Sequence, residues 1–227
     1  MGAPKPSYKD IINKISKSKT GYRLKHCFGV DGCPNRVMES RNLLDKIKAL
    51  LEQKDLKGFL EKHVKGEIRI HHEFSITLSD CPNACSQPQI VDIGLIAATY
   101  PDISDSACKG GGACVEVCKE DAIQLLETPN MPIIDSMKCL GCGQCIKICP
   151  SHTLVEGETG YRILLGGKLG RHPQLGRELN GLFSPEDTLN LIDKTLDFYM
   201  QESKDGERLG ELLNSRGFDV FLNTLGI

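Results

Sequence analysis

Several residue types and segments are scarce or missing in this chain of 227 residues, and each absence excludes a class of protein. It contains no tryptophan and only 5% aromatic residues, so we expect a core of Leu, Ile and Val. No apolar run approaches the roughly 18–20 residues that span a membrane, and Met1–Lys9 lacks the apolar segment of a signal peptide. The net charge of −2 gives no reason to expect a nucleic-acid partner. These absences predict a cytoplasmic protein.

Cysteine, in contrast, is abundant, with 11 copies in the chain. Disulfide frameworks belong to small secreted domains and usually have an even number of cysteines. An odd number, without a signal peptide, argues against disulfides. We therefore expect the cysteines to be ligands of metal ions or clusters.

The strongest local motif places Cys139, Cys142, Cys145 and Cys149 at short intervals, with Pro150 directly after the last. This spacing resembles a bacterial-type ferredoxin, in which the first three thiolates hold one cluster and the cysteine before proline ligates another. Zinc sites, the alternative, use two separated pairs. The motif therefore favours an iron–sulfur cluster.

A second half of the same motif precedes it, with Cys108, Cys114 and Cys118, but Gly111 stands where a fourth cysteine is expected. By the crossed arrangement of ferredoxins, Cys118 joins the first three thiolates of the later run to complete one [4Fe–4S] site. The set that remains is Cys108, Cys114 and Cys149. It could hold a [3Fe–4S] cluster, a [4Fe–4S] cluster with one non-cysteine ligand, or no metal.

Periodicity predicts the order of helices and strands. We expect helices over Pro34–Gln53 and Asp55–Val64, and a half-buried strand over Glu67–Ser79 that leads to Cys81. Further predicted elements are strands at Ile90–Ala98 and Tyr161–Leu165, a helix capped by Ser184, and short helices from Glu207. The predicted domains are a parent domain over 1–101 and 156–227 and an inserted ferredoxin-like module over 102–155.

The remaining four cysteines form two pairs, Cys27 with Cys33 and Cys81 with Cys85. Because one pair precedes a predicted helix and the other follows a predicted strand, only a folded domain can bring them together. A helix that begins directly after Cys33 would point its amide-rich end at an anionic cluster.

This set and its surroundings resemble the sirohaem-dependent sulfite and nitrite reductases. The resemblance rests on four segments in the family's order, 33–36, 79–85, 91–95 and 161–167, and runs from about residue 22 to 200. It implies an α+β fold: a sirohaem and [4Fe–4S] half-domain, with mixed sheet and flanking helices, interrupted by the ferredoxin module. It also implies that Cys27, Cys33, Cys81 and Cys85 hold a [4Fe–4S] cluster and that Cys85 is shared with the sirohaem iron. A [4Fe–4S] site without haem is the alternative.

The expected activity is reduction of sulfite, or of nitrite, with electrons passing from the ferredoxin cluster to the sirohaem-coupled cluster. Sirohaem carboxylates and the anionic substrate need cations and hydrogen bonds. Arg69 and His71, on the polar face of the predicted strand, are expected beside Cys85 in catalysis. Candidate cofactor-binding residues near the motifs, each of which could equally be solvated, are Arg23, Lys25, Arg36, Asn83, Arg162 and Lys168.

Two departures from the family leave other functions open. The half that supplies basic residues over the sirohaem has no counterpart in the sequence, so we expect an oligomer or a partner subunit to supply them, besides an electron-donor protein. Ser86-Gln87 replaces the Gly-Arg of many members. The main alternative is a non-catalytic electron-transfer subunit of a larger sulfite reductase complex, and a sulfur sensor is a third.

Overall fold

The computed structural model describes residues 18, 20–127 and 130–226. Its main element is a five-stranded sheet in the order β1-β2-β3-β6-β7. The strands are β1 (Tyr22–His26), β2 (Phe74–Ser79), β3 (Ile93–Ile103), β6 (Leu154–Leu165) and β7 (Arg177–Glu178). β1, β2 and β3 are parallel, whereas β6 runs antiparallel to both β3 and β7. A separate hairpin is formed by β4 (Ile123–Glu127) and β5 (Asn130–Ile134).

Parallel pairing brings the loops that carry the first four cysteines to one end of the sheet. His26 pairs with Leu78 and Ser79 with Ile96, so β1 and β2 end side by side. Cys27 follows β1 directly, and Cys81 follows β2 after Asp80. We call this end of the sheet the cysteine edge. β3 and β6 extend beyond it as a long antiparallel pair that reaches Ile103 and Leu154.

One face of the sheet carries the main core. Apolar residues of alternate strand positions, such as Ile76, Leu95 and Ile163, are fully buried there. They pack under helices that contribute amphipathic stripes to the same core. These helices are α1 (Arg41–Gln53), α2 (Leu56–His63), α5 (Pro185–Glu202), α6 (Leu209–Arg216) and α7 (Phe218–Leu225).

The other face is covered in part by the chain that follows Cys85. A short 3-10 helix, Pro88–Ile90, lies against Gly94 of β3. A Cβ atom at Gly94 would lie only 2.0 Å from the Pro88 carbonyl oxygen. This close approach requires glycine and fixes the loop that carries Cys85 against the sheet.

The segment between β3 and β6, residues 104–153, has a small core of its own. It contains the β4–β5 hairpin and two one-turn helices, α3 (Ala113–Val117) and α4 (Gln144–Ile148). This core is formed by the buried residues Ile123 and Cys145 of the segment together with Leu154 at the start of β6. The predicted start of this module falls inside β3 and the predicted end inside β6, since both strands continue past residues 102 and 155. Its assignment as a ferredoxin module remains a prediction.

Several predicted elements are confirmed and two are wrong in part. α2 lies within the predicted range, and Ser184 caps α5 by accepting a hydrogen bond from the Asp187 amide. The predicted helix at Pro34 is wrong over its first turns, because α1 begins at Arg41 and residues 34–40 form turns. Cys33 therefore does not lie at a helix N-terminus.

The predicted strand at Glu67 is the second correction. Ile70–His72 form a 3-10 turn, and β2 begins only at Phe74. All six residues of β2 are buried, because β2 lies between β1 and β3 with both faces covered. The expected alternation of a half-buried strand is therefore absent from β2.

The end of the sheet opposite the cysteine edge is closed by a buried ion pair. Arg208 donates from Nε and Nη2 to the two carboxylate oxygens of Asp92, at 3.0 and 2.5 Å. Asp92 is fully buried and also accepts from the Ser75 amide and hydroxyl. This network ties the start of α6 to β2 and β3. In the described part of the chain, no helix is long and apolar enough to cross a membrane.

Candidate metal centre

Cys27 and Cys81 are brought together by the backbone of the cysteine edge. The Cys27 amide continues the β1–β2 ladder by donating to the Leu78 carbonyl at 2.9 Å. The Cys27 sulfur then accepts from the amides of Gly29 and Asp80, both at 3.2 Å. Asp80 directly precedes Cys81, so one hydrogen bond links the two cysteine loops.

The two loops touch closely at Gly29. A Cβ atom there would lie 2.4 Å from the Asp80 Cβ and 2.8 Å from its Oδ2. The Val37 amide donates to the Asp80 carbonyl at 2.7 Å and holds the chain after Cys33 against the same point. These contacts set the separation of the loops that carry the first four cysteines.

Three of these cysteines lie close enough to the fourth, Cys81, to act on it. Burial raises the pKa of the Cys81 thiol, and negative charge on Cys27, Cys85 and Cys33 raises it further. The structure thus places Cys27, Cys33, Cys81 and Cys85 in one group, which we call the edge set. The Asn83 side-chain amide donates to the Cys85 sulfur at 2.9 Å. Cys85 is exposed, whereas the other three are half-buried.

A second group forms within the 104–153 segment. Burial raises the pKa of Cys145 to about 12, and the nearby Cys142, Cys139 and Cys118 sulfurs add to the shift. Cys118 accepts from the Ala122 amide at 3.3 Å. We call Cys118, Cys139, Cys142 and Cys145 the insertion set; the structure groups them as the crossed arrangement predicts.

The third predicted group also comes together. Burial raises the pKa of Cys114, with a further contribution from the charges of Cys108 and Cys149. The second and third groups share one small core, since Cys114, Cys118 and Cys149 all pack against Ile123, Cys145 and Leu154. The division of their cysteines between two clusters stays a prediction. Within residues 18, 20–127 and 130–226, no three His, Cys, Asp or Glu side chains converge on one metal ion. Thiolates around a cluster bind separate irons and need not converge in this way.

The edge set and the insertion set border the same cavity of about 410 Å³. Cys81, Pro82 and Asn83 line one side, and all four cysteines of the insertion set line the other. The Thr99 amide donates to the Gly141 carbonyl at 2.8 Å, which joins the insertion set to β3. Lys147 of α4 donates to the carbonyls of Pro34 and Arg36, at 3.3 and 2.9 Å. The segment is thereby fixed against the loop that follows Cys33.

The predicted basic residues do not gather around the edge set. Arg69 and His71 precede β2, so the whole strand, about 20 Å at 3.3 Å per residue, separates them from Cys81. The expectation that they share a strand face leading to Cys81 is therefore wrong. Arg162 is paired with Glu178, and Lys168 with Glu211, so their charges are already compensated.

Three predicted cations remain on the surface with no ion pair to a described residue. Arg23 and Lys25 lie on β1, and Arg36 is exposed in the loop after Cys33. The charges of Arg36 and His26 both act on the Asp80 carboxyl, which places these two cations near the edge set. The described part of the chain therefore places few unpaired positive charges near the edge set.

Asp80 is a residue of the site that the sequence analysis missed. Its side chain is fully buried, and neither carboxylate oxygen makes a hydrogen bond to a described residue. Burial raises its pKa, and the Ser40 side chain lies near it. Ser40 itself accepts from the buried Tyr161 hydroxyl at 2.8 Å. An acidic residue directly after an apolar strand and before a ligand cysteine was the available signal.

Comparison with known proteins identifies the family. The sequence model of the nitrite and sulphite reductase 4Fe-4S domain matches residues 22–227. The chain belongs to this family. Membership supports an oxidoreductase function with a [4Fe–4S] cluster, and the edge set lies within the matched residues.

Relatives and solved structures agree with this assignment. The chain is 38% identical over 175 residues to the coenzyme F420-dependent sulfite reductase of Methanocaldococcus jannaschii, covering 76% of this chain and 28% of that protein. An uncharacterized protein of the same organism is 28% identical over 220 residues, covering 95% and 71%.

Two solved structures share the fold. Dissimilatory sulfite reductase I gives a TM-score of 0.63 at 21% identity, covering 93% of this chain and 53% of that chain. The Mycobacterium tuberculosis NirA protein gives a TM-score of 0.52 at 19% identity, covering 90% of this chain and 27% of that chain. The chain thus spans about a quarter to about half of these longer chains.

Proposed function

We propose that this chain is an iron–sulfur and sirohaem oxidoreductase domain that reduces sulfite, with nitrite as the alternative anion. The observation that carries the proposal is the shared cavity, with Cys81 on one side and the insertion set on the other. Two four-thiolate sets so placed suit two neighbouring [4Fe–4S] clusters and one-electron transfer between them. The family relationship supports the cluster at the edge set.

The edge set offers a suitable ligand for the iron of sirohaem but few partners for the carboxylates around its ring. Cys85 is the exposed member of the set, so its sulfur is free to bind a further iron while it ligates the cluster. Asn83 donates to that sulfur at 2.9 Å and thereby orients it. When bound, sirohaem would supply the iron that coordinates the anion and passes electrons to it.

The chain's own cations would hold the cofactor's carboxylates only in part. Arg23, Lys25 and Arg36 are available to them, since Arg162 and Lys168 are paired with glutamates. Cys85 is exposed and does not line the cavity that Cys81 shares with the insertion set. A macrocycle beside it would need cover and positive charge from a second chain or a second copy.

The exposure of Cys85 also favours a second candidate, a non-catalytic electron-transfer subunit. In that role the edge set would face a partner enzyme and pass electrons to a haem held mainly by the partner. The two candidates share every cysteine assignment. They differ in whether this chain alone retains sirohaem and consumes the anion.

The test is anaerobic expression with sirohaem supplied, followed by an absorption spectrum and assays with reduced methyl viologen and sulfite or nitrite. The reductase proposal predicts a sirohaem band and anion-dependent oxidation of the dye, both lost in Cys85→Ser. Val220→Ser is the control, because it changes an exposed side chain of α7 outside every group of cysteines. Clusters that cycle with neither sirohaem nor anion consumption would establish the electron-transfer subunit instead.

A further inference from the structure

The 104–153 segment contains an internal repeat that is complete in its backbone. α3 follows Gly112, with φ of 70°, and α4 follows Gly143, with φ of 66°. Each helix has five residues and ends at a cysteine, Cys118 or Cys149, in an extended conformation. The glycines two positions before these N-caps, Gly110 and Gly141, have φ of 71° and 69°. The two halves therefore present their side chains in the same way.

One ligand position differs between the halves. Cys108 corresponds to Cys139, Cys114 to Cys145, and Gly111 to Cys142. The replacement is not forced by crowding, since no described heavy atom lies within 4 Å of a Cβ atom at Gly111. Gly111 does not have a positive φ, so its backbone would accept a side chain. The half keeps its cluster-binding conformation and lacks a single thiolate.

The three remaining thiols have the surroundings of ligands. Cys149 accepts from the Leu154 amide at 3.5 Å and contacts the Ser151 hydroxyl at 3.6 Å. Cys108 accepts from the Gly110 amide at 3.4 Å. Cys114 and Cys149 both pack against the small core of Ile123, Cys145 and Leu154. A group of free thiols with no ligand would not need amide donors directed at two of its sulfurs.

We propose that Cys108, Cys114 and Cys149 hold a second cluster in this segment, a [3Fe–4S] cluster whose missing corner lies at Gly111. The proposal deepens the iron–sulfur function proposed above and rests on it. Gly111 is exposed, and none of the three cysteines lines the cavity between the other two sets. The third cluster would therefore lie on the outer side of the insertion set, where an electron donor can reach it.

The test is EPR spectroscopy of the oxidised, anaerobically purified full chain, with iron and acid-labile sulfide measured. Oxidised [3Fe–4S] clusters are paramagnetic, whereas oxidised [4Fe–4S] clusters are diamagnetic, so we expect a three-iron signal that Cys114→Ser abolishes. In Gly111→Cys, reconstituted with Fe²⁺ and dithionite, the cluster takes up one Fe²⁺ and one electron while the new thiol releases its proton. The variant should gain about one iron per chain and lose the oxidised signal.

Gly111→Ala is the matched control, because it adds a Cβ atom without a ligand and should keep the three-iron signal. Absence of that signal from the oxidised wild-type protein would overturn the proposal. So would an iron content that Cys114→Ser leaves unchanged, or that Gly111→Cys leaves unchanged while the signal persists. A failure of the function proposed above differs from these results, since it would remove sirohaem or the iron bound by the edge and insertion sets.

Discussion

The edge set and the insertion set each contain four cysteines, but the two sets are assembled in different ways. The insertion set takes three of its cysteines from one short run, Cys139, Cys142 and Cys145, and gains Cys118 through a local repeat. The edge set takes its two pairs from loops far apart in sequence, which meet only because β1 and β2 are parallel and in register. A local motif can thus form one site, whereas the other requires the folded sheet.

Removing one ligand from each set should give the largest effects and should separate the two sites. We expect Cys81→Ser to lose the edge-set cluster, about four irons per chain, while the insertion-set cluster remains. Cys142→Ser should give the reverse result. Iron and acid-labile sulfide analysis with EPR of the reduced proteins measures both. Loss of all clusters in either variant would mean that the sites do not assemble independently.

Breaking the ion pair at the far end of the sheet should lower the stability of the fold without changing any of the cysteines. Arg208→Met leaves the fully buried Asp92 without its partner and should lower the free energy of unfolding by about 3–5 kcal/mol. Chemical denaturation measures this change.

Arg216→Met is the matched control for Arg208→Met. Its pair with Glu202 is exposed, so the expected cost is about 0–1 kcal/mol. Equal effects of the two variants would contradict the role assigned to the Asp92 network.

Sequence analysis predicts the members of the insertion set more easily than the residues that surround the edge set, because local spacing indicates the former and the fold determines the latter. Spacing alone predicts that Cys139, Cys142 and Cys145 ligate one cluster. For the edge set, strand periodicity predicts that Arg69 and His71 share a strand face leading to Cys81. The turn at Ile70–His72 interrupts the strand, and no local pattern indicates it.

Tertiary contacts also explain the misplaced helix start. Pro34 suits a first helical turn, yet backbone groups of residues 34–37 make hydrogen bonds to distant parts of the chain. Val37 donates to Asp80, and the carbonyls of Pro34 and Arg36 accept from Lys147. These partners are distant in sequence. The register of β1 with β2 likewise depends on contacts between distant residues and is not indicated by any local pattern.

Crowding the contact between the two cysteine loops should have an intermediate effect. A Cβ atom at Gly29 would lie 2.4 Å from the Asp80 Cβ, so Gly29→Ala must move the loop of Cys27 away from that of Cys81. We expect a loss of stability of about 1–3 kcal/mol and weaker retention of the edge-set cluster during exposure to a chelator. Gly111→Ala, in open space, should behave as wild type. Unchanged cluster retention in Gly29→Ala would argue against this contact as the determinant of the site.

Loosening the contact between the two sites should have the smallest effect on stability. Lys147→Met removes the hydrogen bonds to the Pro34 and Arg36 carbonyls. Because Lys147 is exposed, we expect a cost of about 1 kcal/mol or less, with both clusters retained and slower electron transfer between them in stopped-flow reduction. Lys138→Met, which breaks an exposed pair with Asp135, is the control. An unchanged transfer rate would show that this contact does not position the segment.

The most direct test of the account is EPR spectroscopy of the fully reduced wild-type protein beside Cys81→Ser and Cys142→Ser. If the edge set and the insertion set hold two clusters across one cavity, their spins interact. The wild-type spectrum should then be broadened or split, and each variant should give the simple spectrum of one isolated cluster. A wild-type spectrum equal to the sum of the two variant spectra would contradict the adjacency on which the proposed function rests.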